Sequence, residues 1–412
     1  MITKDKVISC AEQWDSFYLY DESGILESVE ALKSSFPQVE FLYSIKCNPS
    51  APVLRCIFGC GLGADAASAA EVRLAHDSGV PAGGIYYSAP GKTVRDIESC
   101  IDQAVLIADS IDEIARIQAV AARRNKTVHI GIRIDPDFTF AGDGGVPSKF
   151  GIDEAQAIEF LKEHRLANVK VSGIHIHVKS QELSAQVLAA YYQRVLGLAK
   201  RCAKLCGGLE FVNMGSGMGV PYAQSDASLD LSELHSAVQD PIAEFKHSCP
   251  DTRIIIEVGR YAVCKSGIYV TRVVDRKVSY GKTYLILKNT LNGFIRPSLA
   301  RLIGHYAPGG SPPGTEPLFT STQAFDILTF KEEAATETVT LVGNLCTASD
   351  VIAEDIQMPH LACGDVIAIT NAGSYGAVLS PFQFSMQEGP AELFLTRNGE
   401  VIEIPTRPFV GT

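Results

Sequence analysis

Short apolar runs alternate with longer stretches of helical periodicity over the first two thirds of the chain. Apolar runs are expected as strands over 39–46, 63–68, 84–88, 104–109, 127–134, 169–178, 209–215 and 253–258. Between them lie helical patterns over 69–78, 111–124, 155–164, 185–206 and 231–247. Ile111, Ile114, Ala115, Ile117 and Ala121, for example, share one helix face. Strands separated by helices of this length pair in parallel through crossovers, and eight such units match a closed (β/α)8 barrel. From 267 onward the texture changes to short alternating segments (268–274, 284–288, 339–342, 366–370, 392–396, 401–404) broken by Gly, Asn and Pro, which predicts an antiparallel β-domain. A leading strand over 17–21 lies outside the eight and is expected to join that domain. The expected division is a barrel over 25–266 and a β-domain built from 1–24 and 267–412. The Gly- and Pro-rich stretch 304–321 reads as a long exposed loop.

The chain has 412 residues and a formal net charge of −11, which argues against a nucleic-acid backbone or an anionic membrane surface as partner. No apolar stretch reaches the roughly 18 to 20 residues of a membrane helix, and no signal-peptide core follows Met1. Eleven cysteines scattered through predicted elements suggest reduced thiols in a cytoplasmic protein. Cys56/Cys60 and Cys202/Cys206 lack a zinc spacing, and no metal is expected.

The chemistry-bearing residues gather at predicted strand ends, where a parallel barrel places its active site. Lys46 closes the first strand. Read alone, it is either a cation snorkelling out or a desolvated amine that loses its proton and forms a Schiff base. The second strand brings Asp65 and Ser68, with Glu71 one turn on; the fifth brings Arg133; the sixth, His175 and His177 on one face. Two histidines there are weak grounds for a metal, and an imidazole stacked on a flat ring suits the set better. Gly215-Ser216-Gly217-Met218-Gly219 follows the seventh strand, where backbone N–H groups can approach an anion. It is not a dinucleotide fingerprint, and Gly91-Lys92-Thr93 lacks the first glycine of a Walker loop because Tyr86 stands there. Glu257 ends an Ile-Ile-Ile run. It is either an acid paired with a local cation such as Arg260 or a partner that keeps a pyridinium nitrogen protonated.

Taken together these residues resemble the fold-type III pyridoxal-5′-phosphate (PLP) decarboxylases, the ornithine and diaminopimelate decarboxylase group with an alanine-racemase-like barrel. The resemblance runs through Tyr43-Ser44-Ile45-Lys46-Cys47-Asn48, Asp65-Ala66-Ala67-Ser68 with Glu71, Gly173 to Ser180, Gly215 to Gly219 and Glu257-Val258-Gly259-Arg260-Tyr261. In the β-domain it covers Cys346, Asp350 and Ala372-Gly373-Ser374-Tyr375-Gly376. It implies that Lys46 carries PLP as a Schiff base, that His177 stacks on the ring and that Glu257 pairs with the pyridine nitrogen. Asp65, Ser68 and Arg133 would line the cofactor, and Ser180, Gly215, Gly217, Gly219, Gly259, Arg260 and Tyr375 its phosphate side. Cys346 would come from the second subunit of a homodimer with shared sites and protonate the α-carbon.

Where this group places an acid after the cysteine, to hold a distal ammonium, the chain has Thr347. A neutral hydroxyl cannot balance a buried cation, so a free diamino acid is disfavoured. Lys179, which replaces the usual glycine before Ser180, and Arg296 add cations, while Asp350 completes a Cys-Thr-x-x-Asp segment. These features look most like a subgroup acting on amino acids acylated at the distal amine. A citryl-2,3-diaminopropionate of a carboxylate siderophore pathway is the first choice, with carrier-protein-bound glutamyl groups, diaminopimelate or another amino acid as alternatives. An amino-acid racemase of the same architecture typically sets arginine against the ring nitrogen, and Glu257 argues against it.

Overall fold

The computed structural model describes residues 1–163, 166–222, 226–306, 325–331 and 335–405. Eight parallel strands form a closed barrel in chain order: Glu40–Ser44, Gly63–Ala66, Ile85–Tyr87, Val105–Ala108, Val128–Asp135, Val169–His175, Phe211–Asn213 and Arg253–Val258. The last pairs with the first, Ile256 opposite Phe41, which removes both sheet edges. Helices such as Ile111–Arg123 and Ala185–Cys206 cover the outside with their apolar stripes, Ile114, Ile117 and Val120 in the first case.

Inside the barrel, Leu42, Tyr86, Ile107, Phe211 and Ile255 form a separate buried cluster. Strand side chains alternate between faces, so these residues fill the lumen while Phe41, Tyr43, Ile254 and Ile256 pack outward with the helices. The Phe211 ring needs the room left by Gly131 and Gly173, since a Cβ at Gly173 would lie 2.3 Å from it.

A second sheet is assembled from Ser16–Asp21, Gly267–Ser279, Lys282–Leu287, Ile327–Thr329, Thr336–Gly343, Val351–Pro359, Val366–Ile369, Ala391–Leu395 and Val401–Ile404. The leading strand joins it as expected, antiparallel to Gly267–Ser279. The sheet is mixed rather than purely antiparallel: Ser16–Asp21 runs parallel to Ala391–Leu395, and Lys282–Leu287 parallel to Thr336–Gly343. Helix Lys4–Ala11 covers one face through Val7 and Cys10, which pack with Phe17, Leu19, Val270 and Leu393. Of the expected loop over 304–321, residues 304–306 end the helix Ile295–Tyr306, and the rest lies outside the described residues.

All eleven cysteines are free thiols. Among the described residues no helix is long and apolar enough to cross a membrane. Gly91-Lys92-Thr93 is structural. Thr93 caps the helix Val94–Cys100 with a reciprocal Asp96 bond, and the Lys92 ammonium is buried on Glu113 Oε1 at 2.7 Å and on two backbone carbonyls.

Candidate active site

Two residues beyond each lumen-filling position, the barrel interior turns polar. Leu42 is followed by Ser44, Gly63 by Asp65, Tyr86 by Ser88, Ile107 by Asp109, Gly131 by Arg133, Gly173 by His175, Phe211 by Asn213 and Ile255 by Glu257. A two-residue step keeps the same face and moves one layer towards the C-terminal rim, so these groups form one ring above an apolar plug.

Asp65 is fully buried and accepts from Ser44 Oγ (2.8 Å), Ser88 Oγ (2.5 Å) and Lys46 Nζ (2.9 Å). Lys46 stands in a one-turn 3-10 segment, Ile45–Cys47, just past the strand end, with its side chain 44% exposed. Burial acts to lower its pKa, but the Asp65 and Glu257 carboxylates outweigh that and raise it above the usual lysine value. The expectation of a lysine that sheds its proton through desolvation is therefore corrected: here the amine is an ion-paired ammonium. Its nucleophilic form requires that the pull of Asp65 be relieved.

Glu257 is buried, with Asn213 Nδ2 donating to Oε1 at 2.8 Å and His175 Nε2 3.2 Å from the same oxygen. Among the described residues neither ring nitrogen of His175 has a well-aligned hydrogen bond, so the second contact is a close polar approach. Burial pushes the Glu257 carboxyl up, yet His175, then Lys46 and His177, hold it well below the ordinary carboxylate range. Of the two readings of Glu257, pairing with Arg260 is not what the structure shows: His175 is the neighbour of the carboxylate, and Arg260 donates to the Tyr222 hydroxyl.

The sixth strand ends at His175, so His177 lies beyond it rather than within a strand to 178. Ser216 N–H donates to His177 Nδ1 at 3.1 Å, Ser180 Oγ lies 3.4 Å from Nε2, and Arg133 Nη2 donates to its carbonyl at 3.3 Å. Arg133 is itself set by Asp109, 3.7 Å away. Burial, then the Arg133 charge, lower the His177 pKa to about 3, leaving a flat, neutral imidazole. An unfolded histidine takes up its proton near pH 6.5, so as pH falls from there to about 3 the unfolded state binds more protons and stability declines. His177→Gln is expected to flatten that part of the melting-temperature profile; an unchanged acid slope would show that His177 does not cause it.

Gly215 has φ +68°, and a Cβ there would lie 2.3 Å from the Ile176 carbonyl, so the turn requires glycine. The Gly215 amide donates to Asn213 Oδ1 and the Gly219 amide to the Glu182 carbonyl, both at 2.9 Å. Of the three glycine amides expected to face an anion, only that of Gly217 has no partner among the described residues.

The Gly259 loop lies directly against the Lys46 turn, because a Cβ at Gly259 would stand 2.3 Å from Cys47 Sγ. Gly259→Ala is expected to cost about 1–3 kcal/mol by overpacking. Adding Cys47→Ala should recover much of the lost melting temperature; no recovery would place the strain elsewhere. Tyr375, at φ +54°, donates its amide to the Cys47 carbonyl at 2.9 Å, and the Arg260 guanidinium lies 5.2 Å over its ring. Lys46, Gly259, Arg260 and Tyr375 are thus drawn together across the domain boundary.

The remaining candidates fall elsewhere. Ser68 caps the helix Ala69–Asp77, accepting from Glu71 N–H at 3.1 Å, and Glu71 accepts from Ala67 N–H, so both serve a helix start. Lys179 is 55% exposed, 3.9 Å from Glu182 Oε2. Arg296 was expected to add charge at the mouth. It is instead fully buried, donating from Nη1 to Tyr222 Oη (3.0 Å) and the Ser374 carbonyl (3.2 Å), with Nε and Nη2 unpartnered among the described residues. Cys346 is exposed on the loop between Thr336–Gly343 and Val351–Pro359, with Sγ 3.5 Å from Ser385 Oγ. Thr347 Oγ1 lies 2.9 Å from Ser349 Oγ. Asp350 was expected on the substrate side but is buried, accepting from Thr290 Oγ1, Leu291 N–H (3.0 Å) and Leu345 N–H (3.1 Å), so it shapes the loop instead. Sequence reasoning missed His175, as the partner of Glu257, along with Ser44, Ser88, Asp109, Asn213 and Tyr222; all but Tyr222 follow from the two-residue step.

The family described as pyridoxal-dependent decarboxylase, pyridoxal binding domain, matches residues 22–264. An L-glutamyl-[BtrI acyl-carrier protein] decarboxylase of Niallia circulans is 31% identical over 396 residues, covering 93% of this chain and 89% of its own. A diaminopimelate decarboxylase of Aquifex aeolicus is 27% identical over 393 residues, covering 93% and 87%. The crystal structure of diaminopimelate decarboxylase from Helicobacter pylori complexed with L-lysine superposes with TM-score 0.82 at 26% identity, over 98% of this chain and 96% of that one.

Proposed function

The chain belongs to the pyridoxal-dependent decarboxylases, and from that premise we propose that its substrate is an amino acid whose distal end carries no free ammonium. It is a PLP-dependent carboxy-lyase. The observation that carries the finer reading is the Cys346 loop. Residues 344–349 are Asn, Leu, Cys, Thr, Ala and Ser, and the carboxylate of Asp350 is consumed by Thr290, Leu291 and Leu345. A distal ammonium arriving at this loop finds no counter-ion in it, and an unpaired buried cation is costly.

The residues present fit PLP. A half-exposed amine and a carboxylate held ionised share one polar ring with a neutral imidazole beside them, and Arg260 and Tyr375 lie against the amine's turn. Lys46 would hold the cofactor's aldehyde carbon covalently. Glu257 would keep the proton on the pyridine nitrogen, with His175 and Asn213 fixing its charge and orientation. His177 would cover one ring face, backed by Arg133, with Asp65 on the rim. Ser180, Gly217, Gly259, Arg260 and Tyr375 would surround the phosphate, with Gly215 and Gly219 shaping the loop beneath. When bound, PLP supplies an electron sink for the pair left behind as CO2 departs. Cys346, exposed here and held by second-domain residues, would return a proton to the α-carbon from a second copy of the chain, making the unit a homodimer with shared sites.

A citryl-2,3-diaminopropionate type of substrate suits the neutral loop together with the buried Arg296 guanidinium, whose Nε and Nη2 have no partner among the described residues. A carrier-bound glutamyl group is the second reading, favoured by the relative that acts on such a substrate. A panel measuring CO2 release from free and distally acylated diamino acids and from carrier-bound glutamate tests this. Faster turnover of the masked substrates is expected. Faster turnover of free lysine, ornithine or diaminopimelate would overturn the reading of Thr347, and racemisation without CO2 would overturn the reaction itself.

A further inference from the structure

Tyr222 lies three residues after the glycine-rich segment, and its side chain is buried. Its one phenolic oxygen meets two buried cations: Arg260 Nη1 donates to it, and Arg296 Nη1 donates to it at 3.0 Å. The same ring lies under both guanidinium groups, 5.3 Å from Arg260 and 5.0 Å from Arg296. Cys264 Sγ is 3.2 Å from the same oxygen, and Phe325 closes the far side with ring centroids 6.0 Å apart. A phenol oxygen offers two lone pairs, so the two arginines take its whole acceptor capacity. Two like charges on one acceptor repel, and the shared oxygen and the attraction of each cation to the ring offset that cost. Arg260 belongs to the barrel, just after its last strand, whereas Arg296 belongs to the helix Ile295–Tyr306 of the second domain.

We propose that Tyr222 is a positioning residue that ties Arg260, on the cofactor phosphate, to Arg296, whose buried Nε and Nη2, without a partner among the described residues, would take the substrate's carboxylate, so that the two binding events are coupled. This rests on the reading of Arg260 and Arg296 given above. The ring alone would attract both cations but leave their directions loose; the hydroxyl fixes where each fork points.

Two readouts test it: PLP loss on dilution of the holoenzyme, followed by absorbance, and KM separately from kcat. Tyr222→Phe keeps the ring and removes the shared acceptor. Losing hydrogen bonds to charged groups should weaken PLP retention and raise KM, each by about tenfold, while kcat changes little. Arg296→Lys should weaken PLP retention in the Tyr222 protein and add nothing further in the Tyr222→Phe protein, although Arg296 does not touch the phosphate in this reading. Should Tyr222→Phe fail to fold, Arg296→Lys alone still decides, because unchanged PLP retention in that variant overturns the coupling. Unchanged PLP retention and KM in Tyr222→Phe, or a lowered melting temperature with both constants intact, would reduce Tyr222 to a packing role. Arg260→Lys separates the premises: normal PLP retention there removes the phosphate reading itself, whereas weak retention there with none in Tyr222→Phe removes only the coupling.

Discussion

Lys46→Ala is expected to abolish the absorbance band of lysine-bound cofactor and to lower kcat by on the order of 10⁴-fold or more, since no other group can take the covalent role. The fold should survive, because the lysine is half-exposed and its bonded partner, Asp65, keeps the hydroxyls of Ser44 and Ser88. Lys46→Arg is the sharper control. It retains a cation for Asp65 and hence the melting temperature, but a guanidinium stays protonated and is no nucleophile at neutral pH. Equal loss of activity in both variants, with stability kept in the arginine form, separates chemistry from charge balance. Activity and absorbance surviving in either would remove Lys46 from the mechanism.

Glu257→Gln carries the second-largest expected effect. Glutamine can still accept from Asn213, so the side chain should stay in place while the negative charge opposite the ring nitrogen is lost. The expected fall in kcat is about 10²–10³-fold, the scale seen when one preorganised electrostatic group is removed. KM should move little, because the charge acts on the reacting electrons rather than on substrate binding. The pH dependence has a definite sign. The Glu257 pKa is depressed in the folded protein, so the stability it contributes is present above the ordinary carboxylate range and is lost as pH falls through its folded value. An acid limb of kcat near the ordinary carboxylate pKa is therefore not assigned to Glu257, and the Gln variant should retain any such limb. Full activity in Glu257→Gln would leave the ring without its charge partner and sink this assignment.

The barrel was legible because its strands announce themselves as apolar runs and its interior obeys a two-residue step. The move from Ile255 to Glu257, or from Phe211 to Asn213, is visible in the chain once the lumen face is known. Who pairs with whom was less legible. Glu257 meets His175 because the sixth and eighth strands flank the seventh and turn both side chains into one lumen, a fact of three-dimensional stagger absent from local pattern. The second domain hid more. Strand Val351–Pro359 was missed because its alternation breaks at Asp355, whose φ is +53°, and its register with Thr336–Gly343 shifts twice. Helix Ile295–Tyr306 was not among the expected elements; Asn292-Gly293 before it and Pro297 near its start are turn-favouring residues, although proline is tolerated in a first helical turn. That single miss misplaced Arg296, expected at the mouth and found buried beside Tyr222. The parallel pairing of Ser16–Asp21 with Ala391–Leu395 joins segments from opposite ends of the chain, and short-range periodicity carries no trace of it.

The most direct measurement is the mass of the peptide containing residue 46 after borohydride reduction of the purified enzyme and proteolysis. The expected result is a pyridoxyl-phosphate adduct on Lys46 and on no other lysine. An adduct on Lys92 or Lys179 instead, or an unmodified Lys46 in enzyme that still releases CO2, would contradict the placement of the cofactor on which the rest is built.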